Sequence, residues 1–249
     1  MTNPYRNYRA APRLLEERVI LVTGASGGLG GAAARAFACH GATVILHGRN
    51  VKRLEALYDR IVSAGSPQPA IIPLDLETAM SAEFDQMAQA IENEFGRLDG
   101  ILHSAVRLTR LTPLDHQTPE EWVTLLKLNL VAPFALTRAC LSLLKAAPDA
   151  SVIMTSDTHG HAPAAYWGGF AVAKAGLEAL VKIWAQEWEI YPQLRINALI
   201  PGPVNSPQRA RTHPAESKKE LPAPEDLTPV YLYLMGQEST GVSGRIIEC

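Results

Sequence analysis

An apolar run at residues 18–22 (RVILV) leads directly into Thr23-Gly24-Ala25-Ser26-Gly27-Gly28-Leu29-Gly30, and an alanine-rich segment follows to about residue 40. A short apolar run of this kind is typical of a parallel strand that is covered on both faces. The glycines let the strand turn sharply into a helix whose free N–H groups face a pyrophosphate, because side chains at these positions would block the approach of the phosphates. The stretch therefore predicts a dinucleotide-binding loop between a first strand and a first helix.

Strand-like and helix-like segments alternate to the end of the chain. We predict strands near residues 18–22, 43–46, 70–74, 99–102, 151–155, 195–199 and 244–248, and helices near 28–40, 50–63, 81–95, 120–147, 169–190 and 224–235. This alternation predicts an α/β fold of the Rossmann type, with a doubly wound parallel sheet of about seven strands and helices on both faces.

Three regions are distinguished along the chain. Residues 1–18 are interpreted as an N-terminal arm that covers the edge of the domain or contributes to an oligomer contact. Residues 19–249 are interpreted as one dinucleotide-binding domain. Within it, residues 201–224 are rich in Pro, Lys and Arg and lack periodicity, so we expect them to form a substrate lid.

Composition limits the possible functions. The chain has 249 residues and a formal charge of −2, which argues against a nucleic-acid surface. No apolar run approaches the ~18 residues of a membrane span, and the polar N-terminus lacks the apolar centre of a secretory signal. Three widely spaced cysteines, Cys39, Cys140 and Cys249, indicate reduced thiols. We therefore expect a cytoplasmic protein.

Two segments carry a resemblance to a known family. They are Thr155-Ser156-Asp157 at a strand end and Phe170-Ala171-Val172-Ala173-Lys174 on the helix that follows. They resemble the catalytic segment of the classical short-chain dehydrogenase/reductase family, in which a strand-end Ser faces a Tyr-x-x-x-Lys motif thirteen residues later. The resemblance covers about residues 18–248. Since 170 − 157 = 13 and 174 − 170 = 4, Asp157 takes the Ser place, Phe170 takes the Tyr place and Lys174 is retained.

The resemblance implies an oxidoreductase scaffold whose standard carbonyl and alcohol hydride transfer is impaired, because Phe170 has no proton to exchange. In the family the lysine lowers the pKa of the tyrosine and binds the nicotinamide ribose. Asn129 matches the family's mid-helix asparagine, and Pro133 would free its backbone carbonyl to bind a water. A second hypothesis stays open, in which Asp157 or the nearest phenol, Tyr166, acts with Lys174 as acid or base in an active oxidoreductase.

Further positions match the family's cofactor-binding residues. An adenine-contacting pair follows the third strand, a ribose-contacting pair follows the fourth, and a loop after the sixth holds the nicotinamide carboxamide. Ser206, on the last of these loops, is expected to reach the pyrophosphate. With the glycine loop, the implied positions are Gly24, Ser26, Gly28, Leu29, Gly30, Asp75, Leu76, Ser104, Ala105, Lys174, Pro201, Gly202, Val204 and Ser206.

The type of dinucleotide is indicated by residues 47–50, which read His47-Gly48-Arg49-Asn50. Enzymes that use NAD(H) usually carry an acid here for the ribose hydroxyls, and this chain has none. The planar guanidinium of Arg49 suits a 2′-phosphate, so NADP(H) is favoured over NAD(H), and Arg49 and Asn50 are the predicted cofactor-binding residues of this segment. The alternative is that Arg49 is a solvated surface arginine.

Val106, after the fourth strand, takes the place of a glycine in the family's motif and adds bulk near the nucleotide.

Asp157 also carries predictions of its own. If ionised, its carboxylate would favour the positively charged oxidised nicotinamide ring over the neutral reduced ring. Asp157, His159 and His161 alternate along the chain, a spacing that can bind a metal. Separate polar contacts within the loop are favoured, and no metal is expected.

The remaining predictions concern partners. Besides the dinucleotide, the resemblance implies an unidentified small-molecule substrate. It also implies a homodimer or homotetramer formed through helices 120–147 and 169–190. Ile183, Trp184 and Trp188 supply more apolar bulk on the second helix than one core face needs. Ordinary core packing is the alternative explanation for these side chains.

Overall fold

The computed structural model describes residues 5–249. Within this range one parallel sheet has the strand order β3-β2-β1-β4-β5-β6-β7. Its strands are β1 (Val19–Thr23), β2 (Thr43–Gly48), β3 (Ala70–Pro73), β4 (Gly100–His103), β5 (Ala150–Thr155), β6 (Leu194–Ile200) and β7 (Ile246–Glu248). The predicted doubly wound sheet is confirmed.

Helices cover both faces of this sheet. They are α1 (Gly28–Cys39), α2 (Val51–Ser63), α3 (Ser81–Phe95), α4 (Pro119–Leu126), α5 (Ala132–Ala139), α6 (Leu141–Ala146), α7 (Thr158–His161), α8 (Gly168–Glu187), α9 (Pro207–Thr212) and α10 (Thr228–Met235). One apolar core lies between the sheet and α3, α5 and α8, and a second lies between the sheet and α1, α2 and α10. No helix in residues 5–249 is both long and apolar enough to cross a membrane.

The turn from β1 to α1 depends on two glycines. Gly24 has a φ of 67°, and a Cβ atom there would lie 2.7 Å from the backbone of Ala105. A Cβ atom on Gly30 would lie 2.5 Å from the carbonyl oxygen of Gly24. Any larger residue would therefore push the strand, the turn and the loop after β4 apart.

The predicted helix 120–147 is not continuous. It is divided into α4, a π-helical turn (Lys127–Val131), α5 and α6, with breaks at residues 127–131 and at Cys140. Pro133 has no N–H to donate to the carbonyl of Asn129, and the N–H of Ala132 bonds to the carbonyl of Lys127, five residues back. The proline thus widens the helix at Asn129, which the expectation of one regular helix missed. The second predicted helix, 169–190, is α8 and ends three residues earlier, at Glu187.

The arm is packed onto the domain as far as the structure describes it. Leu15 is fully buried, Leu14 contacts Gly236, and the ring of Tyr5 stacks on that of Tyr233 with centroids 4.1 Å apart. The arm therefore covers the layer formed by α1 and α10. Residues 1–4 of the predicted arm lie outside the described residues.

Candidate active site

A cleft of about 610 Å³ opens at the carboxyl ends of the strands. It lies where the strand order reverses between β1 and β4, which is the usual ligand position in a doubly wound sheet. Thirteen of the predicted catalytic and cofactor-binding residues line it: Ser26, Gly28, Leu29, Gly30, Arg49, Ser104, Asp157, Phe170, Lys174, Pro201, Gly202, Val204 and Ser206. Others singled out do not: Gly24, Asn50, Asp75, Leu76, Ala105, Asn129 and Tyr166.

The glycine loop and the loop after β4 are held together by Thr23. Its Oγ1 accepts hydrogen bonds from the N–H groups of Ser104 (3.1 Å) and Ala105 (3.2 Å). Val106, which follows them, is exposed and lines the cleft. Thr23 begins the glycine motif, and its organising role was not assigned from the sequence.

Arg49 lies at the end of β2, as expected, but it is already ion-paired. Its Nη1 is 3.3 Å from a carboxylate oxygen of Glu77 and 3.6 Å from one of Asp75. Arg107 shares Glu77 at 2.7 Å. A 2′-phosphate at Arg49 would therefore compete with these carboxylates. Arg53 and Arg107 also line the cleft and were not identified from the sequence.

Two predicted cofactor residues have clear structural roles. The side chain of Asn50 accepts from the N–H of Arg53 at 3.0 Å and caps α2. Leu76 is buried in the apolar core. Neither side chain lies on the cleft wall.

Asn129 is fully buried in the π-helical turn and binds the loop after β4 through its side chain. Its Nδ2 donates to the carbonyls of Arg107 (2.8 Å) and Leu125 (2.9 Å). Its Oδ1 accepts from the N–H of Arg107 at 3.1 Å. The amide side chain thus holds the loop after β4 in place. Only the backbone carbonyl of Asn129 is left to bind the water that the resemblance implies.

Lys174 lies at the floor of the cleft. Its Nζ donates to the backbone carbonyl of Thr155 at 2.7 Å. Burial lowers the pKa of Lys174 to about 8, although the nearby carboxylates of Asp157 and Glu178 favour the charged form and oppose this shift. The ammonium group therefore lies at the base of the cleft, where the charges of two carboxylates act on it.

Phe170 forms the wall beside Lys174. Only 1% of this residue is exposed, and its ring centroid is 5.7 Å from the Lys174 Nζ. The ring belongs to a small apolar cluster with Trp167, Leu108 and Leu111. This cluster joins the start of α8 to the loop after β4.

Tyr166, the nearest phenol, is directed elsewhere. It has a positive φ of 76°, and its backbone carbonyl accepts from the N–H of Thr112 at 3.3 Å. The residue is 56% exposed and does not line the cleft. The described conformation keeps its hydroxyl away from the cleft wall.

Asp157 is the carboxylate on the wall near Lys174. Its Oδ1 accepts from the N–H of His159 at 2.9 Å and lies 2.8 Å from the Nδ1 of the same histidine. The imidazole of His159 stacks on the indole of Trp167 with centroids 3.5 Å apart. Through His159, Asp157 at the end of β5 is thus linked to Trp167 at the beginning of α8.

The alternating polar residues after β5 have separate partners. His161 Nδ1 lies 3.1 Å from Glu178, and Ser156 Oγ donates to Glu178 at 2.6 Å. His159 contacts Asp157 instead. Each histidine therefore has its own carboxylate, as the favoured interpretation of separate polar contacts expected.

Comparison with known proteins identifies the family. Residues 18–217 match the family model described as short chain dehydrogenase. The chain belongs to the short chain dehydrogenase family. The match spans the glycine loop, the strand-end Asp157 and the helix that carries Phe170 and Lys174.

Relatives in this family are similar over almost their whole lengths. A short chain dehydrogenase of Pseudomonas syringae is 46% identical, with a TM-score of 0.95, and the alignment covers 97% of this chain and 98% of that one. The oxidoreductase YciK of Escherichia coli K12 is 38% identical over 242 residues, which cover 97% of this chain and 95% of YciK. A short chain dehydrogenase of Shigella flexneri, solved as a complex with NADP, is 38% identical with a TM-score of 0.92 and coverage of 96% and 99%.

Proposed function

We propose that this short chain dehydrogenase homologue binds NADP(H) but is impaired in the standard carbonyl and alcohol hydride-transfer chemistry. The observation that carries the proposal is the buried ring of Phe170 beside Lys174, where the resemblance implies a tyrosine hydroxyl. General acid–base groups typically contribute ~10²–10⁴-fold to such reactions. Without this hydroxyl, and with Asp157 in the Ser place, a carbonyl oxygen meets no neutral hydroxyl donor from these two positions.

The residues of the cleft fit a dinucleotide. Gly28, Leu29 and Gly30, at the start of α1, line the cleft, so the first N–H groups of this helix face the space that a pyrophosphate would take. Lys174 would hold the ribose, and Arg49 and Arg53 would hold a 2′-phosphate. The bound dinucleotide would supply or accept a hydride. Segment 201–224, which contains α9 and lines the opposite wall, would act as the lid over an unidentified small-molecule substrate.

A second candidate is an active NADP-dependent oxidoreductase that uses Asp157 with Lys174 as acid or base. It is favoured by the position of Asp157 on the cleft wall, where its charge acts on Lys174. Tyr166, the other substitute expected, has less support because its side chain is turned to solvent.

The first prediction concerns nucleotide choice. We expect NADPH to bind at least tenfold more tightly than NADH, because a charge-assisted contact to the 2′-phosphate is worth about 1.5–3 kcal/mol. Arg49→Ala should remove most of this difference, whereas Arg60→Ala, on the exposed side of α2, should leave it unchanged. Fluorescence titration with both nucleotides measures the effect. Equal affinities in the original chain would contradict the preference, and failure of both nucleotides to bind would contradict the proposed function.

The second prediction concerns the oxidation state of the nucleotide. The carboxylate of Asp157 should favour NADP⁺ over NADPH, which we expect to appear as about a tenfold affinity ratio. Asp157→Asn keeps the size of the side chain and should make the two affinities about equal. Asp59→Asn, an exposed position on α2, provides the matched control. If the preference for NADP⁺ persists in Asp157→Asn, a group other than Asp157 is responsible for it.

The third prediction concerns assembly. Trp184 and Trp188 are buried and stack on each other, which supports the core-packing explanation for these two side chains. We propose instead that a homodimer or homotetramer uses the exposed apolar side chains of α4, α5 and α8 and the turn between the first two. These are Val123, Val131, Phe134, Val172 and Ile183.

The test of this assembly is a charge placed in the proposed contact. Val172→Glu should convert the oligomer to a monomer in light scattering, because an unpaired charge in an apolar interface is strongly unfavourable. Val62→Glu, on the exposed side of α2, should not change the mass. A monomeric original chain would exclude the proposed assembly.

A further inference from the structure

We propose that the wall formed by Asp157, Trp167 and Phe170 accepts iminium ions, cationic C=N compounds, as hydride acceptors in place of aldehydes and ketones. The proposal rests on the NADP(H) binding proposed above and names the class of small molecule that the cleft would take. It depends on a free carboxylate oxygen, on aromatic rings around it and on the charge that the reaction would create.

The carboxylate of Asp157 has one oxygen available. Oδ1 is occupied by the N–H and Nδ1 of His159, whereas Oδ2 has no hydrogen-bond partner in residues 5–249. The side chain lines the cleft and is 24% exposed. A ligand in the cleft can therefore reach this oxygen.

The cations that act on Asp157 have other partners. Lys174 donates to the carbonyl of Thr155. Arg209, on α9, forms a two-point contact with Glu216, with nitrogen–oxygen distances of 2.6 and 2.8 Å. Neither cation forms a hydrogen bond or ion pair with Asp157, so Oδ2 remains open to a ligand.

Aromatic rings complete this part of the cleft. Trp167 and Phe170 both line it, and their ring centroids are 5.9 Å apart. The stacked imidazole of His159 holds the indole of Trp167 in place. Aromatic faces attract organic cations, and here the carboxylate of Asp157 lines the same part of the cleft. A tyrosine hydroxyl in place of Phe170 would make the same wall suited to a neutral carbonyl oxygen.

The charge balance of the reaction separates the two ligand classes. Reduction of a carbonyl produces an alkoxide that must receive a proton, and here it would form beside the carboxylate of Asp157. In the reduction of an iminium ion, a hydride from NADPH adds to the carbon and the C=N electron pair moves to nitrogen. The products are a neutral amine and NADP⁺, and no proton is transferred. The positive charge passes from the ligand to the nicotinamide, so Asp157 faces one positive charge before and after the step.

The test compares two ligands of similar ring size, N-methylpyrrolinium and cyclopentanone. Calorimetry with the full chain should show at least about tenfold tighter binding of the cation, a preference that Asp157→Asn removes and Asp59→Asn retains. With NADPH added, the loss of its near-ultraviolet absorbance should occur with the cation and not with the ketone. Asp157→Asn should lower kcat/KM for this oxidation by about tenfold, in step with the loss of cation binding.

The outcomes distinguish this inference from the function on which it rests. If NADPH does not bind, the proposed function fails. If NADPH binds but the cation binds no better than the ketone, or its preference survives in Asp157→Asn, the inference is overturned and NADP(H) binding stands. Absence of NADPH oxidation with the bound cation also overturns it.

Discussion

The double variant Phe170→Tyr/Asp157→Ser should reduce aldehydes and ketones with NADPH about 10²–10⁴-fold faster than the original chain, measured as kcat/KM. The ring of Phe170 lies 5.7 Å from the Lys174 Nζ, so a hydroxyl on that ring has an ammonium group close by. This cation would lower the pKa of the new phenol and allow it to exchange a proton near neutrality. Serine would remove the carboxylate and supply a second hydroxyl for the carbonyl oxygen.

The single changes and a matched control show whether the pair is responsible. Each single change should recover only part of the effect, because the phenol and the serine act on the same oxygen. Phe95→Tyr, at the end of α3, adds a phenol outside the cleft and should have no effect. Equal carbonyl turnover by the original chain and the double variant would refute the proposed impairment. Turnover in the original chain that is lost in Asp157→Asn would support the second candidate, an active enzyme using Asp157.

Acidification from about pH 7.5 to about pH 5 should destabilise the folded protein by about 4 kcal/mol through two buried histidines, His47 and His103. Burial lowers the pKa of His47 to about 4 and that of His103 to about 3, from an ordinary value of 6.5. Between these values the unfolded chain binds protons that the folded chain does not. Each histidine therefore lowers the free energy of unfolding by about 1.4 kcal/mol for every pH unit below 6.5.

The two histidines are neighbours across β1, since Thr23 pairs with His47 on one side and with His103 on the other. Besides burial, the charges of His47 and Lys174 lower the pKa of His103, whereas Asp75 opposes the lowering of the pKa of His47. The Nε2 of His103 lies 2.8 Å from the hydroxyl of Thr137, a contact that a neutral ring can make. Stability should thus be fully retained above about pH 6.5 and lost as the pH falls toward 4.

Urea unfolding at the two pH values measures this loss. His103→Asn introduces a side chain that does not titrate and should reduce the loss by about half, whatever its effect on stability at neutral pH. His116→Asn, at an exposed position, should leave the loss unchanged. The same free energy of unfolding at both pH values in the original chain would contradict the assignment.

The sequence by itself determined the fold class and the succession of the seven strands along the chain. The glycine loop, the apolar strands and the spacing of Asp157, Phe170 and Lys174 are local patterns, because a strand, a turn and a helix each depend on residues close together in the chain. The interruption at Asn129 was harder to predict. The effect of Pro133 on one carbonyl was foreseen, whereas the resulting π-helical turn depends on the loop that Asn129 binds.

Only the tertiary structure decided which groups are free in the cleft. Arg49 is ion-paired with Glu77 and Asp75, whereas Asp157 binds His159 through one oxygen and the other has no hydrogen-bond partner among residues 5–249. Tyr166 is turned outward by a backbone bond to Thr112, more than fifty residues away. Such contacts join segments far apart in the chain, and their geometry follows from how the loops at the ends of parallel strands converge, which no local pattern encodes.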